Sequence, residues 1–265
     1  MRLYKFVTHK ILILNLYLTK KAMKHFYSLI ILTLLVISCS SESSSKEIII
    51  NPISHGSLII EYGDETIYID PVGSSETFKD LKRPTIILIT DIHGDHLNLE
   101  TLQNVNDSTA TLIVPKAVND RLNETIKGKR IVLNNLEKTT VNDIHVEAIP
   151  MYNLREEAIK FHEKGRGNGY VVTLGEKRIY ISGDTEDIPE MRALQNIDKA
   201  FVCMNLPWTM TIESAADAVL EFKPKEVYPY HYRGTEGLSD VEGFKTIVNS
   251  GNEKIKVNLL NWYKE

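Results

Sequence analysis

The chain has 265 residues, with 31 Lys+Arg against 35 Asp+Glu and a formal net charge of −4, a length that allows one large domain or two small ones. Its 43% hydrophobic and 25% charged content is that of a globular protein with a full core. The mildly acidic balance, without a basic stripe, argues against a nucleic-acid partner. Two cysteines, Cys39 and Cys203, make no disulfide framework.

Residues 1–38 read as an upstream segment and an export signal. Lys24 and His25 form a short basic start, Phe26 to Ile37 an apolar core, and Val36-Ile37-Ser38-Cys39 a cleavage region. That core is too short for the roughly 20 apolar residues a membrane span needs. The tetrapeptide resembles the lipobox of bacterial lipoproteins, which implies lipidation of Cys39 and a place in the bacterial cell envelope, on the periplasmic or surface side. A second apolar run, Ile11 to Leu18, precedes it. A signal carries one such core, so translation is expected to begin at Met23. Residues 39–46, with Ser40 to Ser45, read as a flexible tether.

Residues 47–265 read as one domain. Strands are expected at Ile48 to Ile50, Ser57 to Tyr62 and Thr66 to Asp70, with Gly63-Asp64 as a hairpin turn. Ile86 to Ile89 is a short, continuous, Ile-rich run of the kind that forms a buried strand. A helix over Leu97 to Gln103, a strand over Thr111 to Val114 and a helix over Lys116 to Ile126 follow. Strands are expected at Arg130 to Leu133 and Ile144 to Ile149, then a long charged and Gly-rich loop, Met151 to Asn168, of the kind that carries function. Tyr170 to Leu174 and Arg178 to Ser182 read as a hairpin about Gly175-Glu176, followed by a strand over Ala200 to Asn205. Cys203 within it reads as a buried small hydrophobe. Thr211 opens a helix to Phe222 as N-cap. Val227 to Tyr230 is a strand, Asp240 to Asn249 a helix and Ile255 to Leu260 a last strand. Strands mixed with helices in each half point to two sheets packed face to face with helices outside.

The stretch Thr90-Asp91-Ile92-His93-Gly94-Asp95-His96 places four ligand-type side chains just past the strand at Ile86. Buried carboxylates without partners are costly, and a divalent ion removes that cost. The stretch reads as a metal cradle. Three further strands or loops end in such residues: Gly183-Asp184-Thr185, His231 after Val227 to Tyr230, and His162 before Gly165-Arg166-Gly167.

In this order the motifs resemble the metallo-β-lactamase superfamily. Phe161 to Gly167, Ile179 to Thr185 and Pro229 to Tyr232 are similar to its compact metal-dependent hydrolases, the branch of the ascorbate-6-phosphate lactonase. The resemblance implies an α/β fold, a four-layer αββα sandwich with two divalent ions at the sheet edge. Asp91, His93 and His162 would hold one ion, and Asp95, His96 and His231 the other, with Asp184 bridging. Asp70 matches a carboxylate that orients the ligands, and His55 a position near the metals. A metal-bridging hydroxide, oriented by Asp95 or Asp184, would cleave an ester, lactone, amide or phosphoester of a small molecule.

The family's usual first motif has His where this chain has Asp91. Oxygen in place of nitrogen moves preference from zinc, the first expectation, toward manganese or iron, and leaves open that one of the two positions is empty. Arg155, Lys164 and Arg166 read either as contacts for an anionic substrate group or as a solvated loop face. Asn153, Trp208, Tyr152 and Arg233 read as wall residues. The alternative function is a non-catalytic, lipid-anchored metal-binding or sensing protein on the same fold. The oligomeric state is left open.

Overall fold

A computed structural model describes residues 17, 20 and 46–264. Cys39 and the signal and tether expectations lie outside the described residues. The compact unit Lys46–Glu265 carries two sheets.

The first sheet contains β1 (Ile48–Ser54), β2 (Ser57–Tyr62), β3 (Glu65–Ile69), β4 (Ile86–Leu88), β5 (Thr111–Val114) and β6 (Lys129–Val132), in that spatial order. β1 to β3 form an antiparallel meander and β3 to β6 run parallel. The second sheet has the order β15 (Lys256–Val257), β12 (Glu226–Tyr230), β11 (Lys199–Cys203), β10 (Lys177–Ile181), β9 (Gly167–Leu174), β8 (Ile144–Met151) and β7 (Lys138–Val141). Here β10, β11, β12 and β15 are parallel, and β7 to β10 antiparallel. A separate two-stranded ribbon joins β13 (Arg233–Gly234) and β14 (Gly237–Leu238).

The continuous apolar run of β4 is explained by burial on both faces. Ile86 and Leu88 join the core shared with the second sheet, alongside Ile67, Ile69 and Ile113. Ile87 and Ile89 turn the other way and pack with Leu102, Val105 and Val118 of two helices, α2 (Leu99–Val105) and α3 (Lys116–Asn119). The four-residue α1 (Ser75–Phe78) adds Phe78 to that layer. Over the second sheet, α4 (Pro189–Arg192), α5 (Ile212–Phe222) and α6 (Val241–Gly251) bury Met191, Ala215, Val219, Phe222, Phe244 and Val248. The four-layer α/β arrangement expected from the sequence is the one observed.

The differences have local causes. The helix expected from Lys116 to Ile126 stops at Asn119, because further on the Asn123 side chain takes the Thr125 N–H at 3.0 Å and forms a competing turn. Arg130 donates to the Asn123 and Ile126 carbonyls and fixes that turn. β7 adds a strand to those expected: its sequence, Lys-Thr-Thr-Val, is polar because it is a sheet edge. The turn Asn142-Asp143, with both residues at positive φ (50° and 65°), links it to β8. The last strand shortens to Lys256–Val257. Loop Met151 to Asn168 is narrower than expected, since β8 runs through Met151 and β9 begins at Gly167.

Parallel strands finish on one edge of each sheet, and that edge is where an α/β protein keeps its site. β3 ends before Asp70, β4 before Thr90 to His96, β10 before Gly183-Asp184, and β12 before His231.

Candidate metal centre

Three residues near these strand ends have left-handed backbones that side-chain-bearing residues seldom adopt: Asp70 (φ 43°), His231 (φ 48°) and His55 (φ 52°). Such strain persists only where surrounding contacts hold it, and it gathers at functional sites. Asp70 is fully buried. Its Oδ1 accepts the Thr90 N–H at 2.7 Å, while Oδ2 accepts the Thr90 hydroxyl at 2.6 Å and His96 Nδ1–H at 2.8 Å. This bond sets the His96 ring orientation and turns Nε2 toward Asp184, where it offers its lone pair to an ion that displaces its proton, the arrangement of a metal-bound imidazole backed by a carboxylate. Asp70 therefore fixes the orientation of the His96 ring.

The glycines beside the ligands are required by space. A Cβ on Gly56 would lie 2.8 Å from His231 Cδ2. At Gly183 (φ 62°) it would lie 2.5 Å from Met151 Sδ. Gly183 lets the chain leave β10 sharply and present Asp184.

His96, Asp184 and His231 bring ligand atoms within 4.8 Å of one another. His96 Nε2 lies 3.4 Å from Asp184 Oδ2, and His231 Nδ1 lies 3.5 Å from Asp184 Oδ1. Asp95 joins from the solvent side, with Oδ2 at 3.3 Å from His231 Nε2. His162 Nε2 approaches Asp184 Oδ2 at 3.3 Å, and its Nδ1–H donates to the Trp208 carbonyl at 3.1 Å. Among the described residues, His96 Nε2, His162 Nε2, Asp184 Oδ1 and both ring nitrogens of His231 are buried without a hydrogen-bond partner. Five orphaned polar atoms in one cluster would be costly in an apolar core; His96 Nε2, Asp184 Oδ1 and one nitrogen of His231 lie close enough together to fit a divalent ion.

The electrostatics agree. Burial would lower the His96 pKa, but Asp184 and Asp70 pull it well above the ordinary imidazole value. Burial would raise Asp184 and Asp95, yet the neighbouring imidazoles hold both carboxyls below the usual range. The pocket carries fixed negative charge that calls for a cation.

The second group, Asp91, His93 and His162, also falls within 4.8 Å, but Asp91 is already engaged. Arg166 grips it with both arms of its fork, Nε to Oδ1 at 3.1 Å and Nη2 to Oδ2 at 2.8 Å. His93 Nδ1 lies 2.8 Å from Oδ2. Burial would raise the Asp91 carboxyl, but the His93 bond and the charges of His96, His93 and Arg166 bring it down to about 2. The fit to an ion is thus complete at His96, Asp184 and His231, and obstructed at Asp91.

A cavity of about 400 Å3 opens over the cluster, with Phe161, Trp208, Asn205 and Arg233 on its walls and His55, His93, Asp95, His162 and Asp184 at its base. Asn153 sits behind the wall, where its Nδ2 donates to the Trp208 carbonyl at 2.6 Å and the Ala158 carbonyl at 2.9 Å. His55 Nε2 is 3.4 Å from Asp95 Oδ2 and its Nδ1 is 2.7 Å from the Tyr263 hydroxyl. The three cations of the long loop are each paired with a carboxylate and none lines the cavity, although Lys164 stays solvent-exposed. Arg155 pairs with buried Glu186 at 2.6 Å, Lys164 with Glu190 at 2.9 Å, and Arg166 with Asp91. Tyr152 likewise bonds Glu190 through its hydroxyl.

Two contributors escape the sequence reading. Glu186 also accepts the Leu154 and Arg155 N–H groups, each at 2.9 Å, and so anchors the long loop; its place two residues after Asp184 was the available signal. Tyr263 accepts the Tyr232 N–H at 3.1 Å and steadies His55, and no local pattern marks it.

A family model described as a β-lactamase superfamily domain matches residues 65–232. A UPF0173 metal-dependent hydrolase of Pyrococcus abyssi is 30% identical over 221 residues, covering 78% of this chain and 94% of the relative. Among solved structures, a metal-dependent hydrolase from Parabacteroides distasonis is 38% identical with a TM-score of 0.74, covering 82% of this chain and 94% of that one. The metallo-β-lactamase-fold protein YhfI of Bacillus subtilis, at 13% identity, shares the fold with a TM-score of 0.63, covering 78% of this chain and 88% of its own. The chain belongs to the β-lactamase superfamily and is one of its metal-dependent hydrolases.

Proposed function

We propose that the chain hydrolyses a small molecule with an anionic group, cleaving an ester, lactone, amide or phosphoester, with zinc as the resident ion and manganese or iron as alternatives. The observation that carries this reading is the set of orphaned donor atoms on His96, Asp184 and His231 beneath an open cavity. A divalent ion bound there supplies a Lewis acid and lowers the pKa of water.

The chain's own groups do the rest. Asp95 is 46% exposed on the cavity side, and its depressed pKa keeps it a carboxylate at neutral pH, able to orient water by accepting a hydrogen bond. The Tyr263 hydroxyl donates to His55 Nδ1, so that Nε2–H points at Asp95 and holds it. Phe161 and Trp208 offer apolar walls. Arg233 is the one Lys or Arg of the wall among the described residues. Its guanidinium stacks on the Tyr263 ring at 4.3 Å, a posture that suits a carboxylate or phosphate. The side chains of Asp95 and His93, 46% and 40% exposed, keep the centre open to a ligand. That favours turnover over sequestration.

The reading extends to the cell envelope, supported by the lipobox-like Val36 to Cys39 and the serine tether. Palmitate labelling with fractionation checks it: Cys39→Ser should move the protein to the soluble fraction, and unchanged membrane retention would refute the anchor. For the chemistry, paired anionic and neutral esters, lactones, amides and phosphoesters would be assayed with and without chelator. Arg233→Ala should raise KM for anionic substrates with kcat little changed. Turnover that survives chelation would sink the reading, and equal KM for both substrate sets would remove the anionic group from it.

A further inference from the structure

We infer that the Arg166 guanidinium takes the place of one cation, so that the chain holds a single divalent ion among Asp95, His96, Asp184 and His231. The inference rests on the metal-dependent reading above and concerns how many ions the site takes.

Both oxygens of Asp91 are already engaged by cationic or hydrogen-bond donors. Both are occupied by a bidentate guanidinium, and Oδ2 by His93 as well. Fork-to-carboxylate pairing of this kind is the strongest an arginine makes. Arg166 is held from its other side too, since Nη2 donates to the Phe161 carbonyl and its backbone N–H to the Glu163 carbonyl. Asp91 is fully buried and the Arg166 side chain is only 17% exposed, so water does little to weaken the pair. A divalent ion at this position would have to displace a seated guanidinium and then sit beside its charge.

The orphaned atoms divide the same way. Among the described residues, His96 Nε2, Asp184 Oδ1 and the His231 nitrogens lack partners, and no Asp91 oxygen does. His162 Nε2, also without a partner, turns to Asp184. One donor set is waiting for a cation and the other has one, built into the chain.

The sequence change makes chemical sense of the pair. A neutral imidazole at residue 91 would give Arg166 no counter-charge, whereas a carboxylate seats it. The Gly165-Arg166-Gly167 turn delivers it: Gly165 has φ 88°, and a Cβ on Gly167 would meet Asp91 Oδ1 at 3.3 Å. Arg166 is thus a positioning residue, not a group that touches substrate.

The test is metal stoichiometry by elemental analysis and by zinc titration of the metal-depleted, purified chain. Circular dichroism serves as a folding control. Wild type should saturate at one equivalent. Asp91→His, which removes the seat of the guanidinium and supplies an imidazole, should saturate at two, and Arg166→Ala should move in the same direction by freeing Asp91. A cobalt-loaded wild type should give the magnetic signature of an isolated ion. Two tight equivalents in wild type would overturn the inference and leave the hydrolase reading standing. One equivalent in wild type and in both folded variants would remove Arg166 from the explanation. No bound metal in wild type would overturn the metal-dependent reading itself.

Discussion

Replacing Asp70 with asparagine isolates the charge behind His96 from its shape. Asparagine is nearly isosteric and tolerates the left-handed backbone that Asp70 adopts at φ 43°. Its carbonyl oxygen can still accept the Thr90 N–H. Its amide nitrogen would then face two donors, the Thr90 hydroxyl and His96 Nδ1–H, where Oδ2 now accepts both at 2.6 and 2.8 Å. His96 loses a hydrogen bond to a charged group, worth about 1.5–3 kcal/mol, which corresponds to a loss of roughly tenfold to a hundredfold in metal affinity. Partners behind metal-bound histidines have typically cost about 10–100-fold when removed, so the two estimates agree. The assay is chelator competition at neutral pH on wild type and Asp70→Asn, each with a thermal melt of the metal-free form to separate unfolding from weakened binding. Equal affinities in two folded proteins would refute the idea that Asp70 orients His96 for an ion.

Other outcomes follow from the same geometry. His96→Ala and Asp184→Ala should each abolish hydrolysis and lower bound metal below one equivalent while leaving far-UV circular dichroism intact; unchanged turnover in either would sink the ligand assignment. Gly183→Ala should destabilise by about 1–3 kcal/mol from backbone strain alone, with more from the approach to Met151 Sδ, and an unshifted melting temperature would contradict the close packing at that turn. Asp198, beside β10 and β11, offers a pH-dependent case away from the metal. Burial would raise its pKa, but bonds from Lys225 and the Arg178 N–H, with the charges of Lys225 and Lys177, lower it below 3.8. A depressed carboxyl contributes stability that is present above its unfolded pKa and lost as the pH falls through its folded one. Asp198→Asn should therefore melt lower at neutral pH, and the gap to wild type should close as the pH drops below about 4. A gap that stays constant across that range would exclude the charge as its cause.

Much of the fold could be read locally. Ile86 to Ile89 has the composition of a strand buried on both faces, and it is one through Leu88. Thr211 is marked as an N-cap by its sequence, and its hydroxyl takes the Ser214 N–H at 3.1 Å. The elements that the sequence misplaces are those whose shape depends on neighbours: β7, held as an edge by β8, and the stretch after Asn119, where side-chain turns outcompete a helix. In the site, the candidate ligands were legible because several His and Asp at strand ends are too costly to bury for any bland purpose.

The sequence by itself determined which residues gather and the family to which they belong, since motif order survives without coordinates. Only the tertiary structure decided what each charge is paired with. Arg155, Lys164 and Arg166 looked equally free along the chain, yet Glu186, Glu190 and Asp91 claim them, while Arg233 keeps its place on the cavity wall. The physical reason is that pairing energy depends on distance and burial. Partners separated by up to 75 residues, as Asp91 and Arg166 are, meet only when two sheets bring their strand ends to one edge.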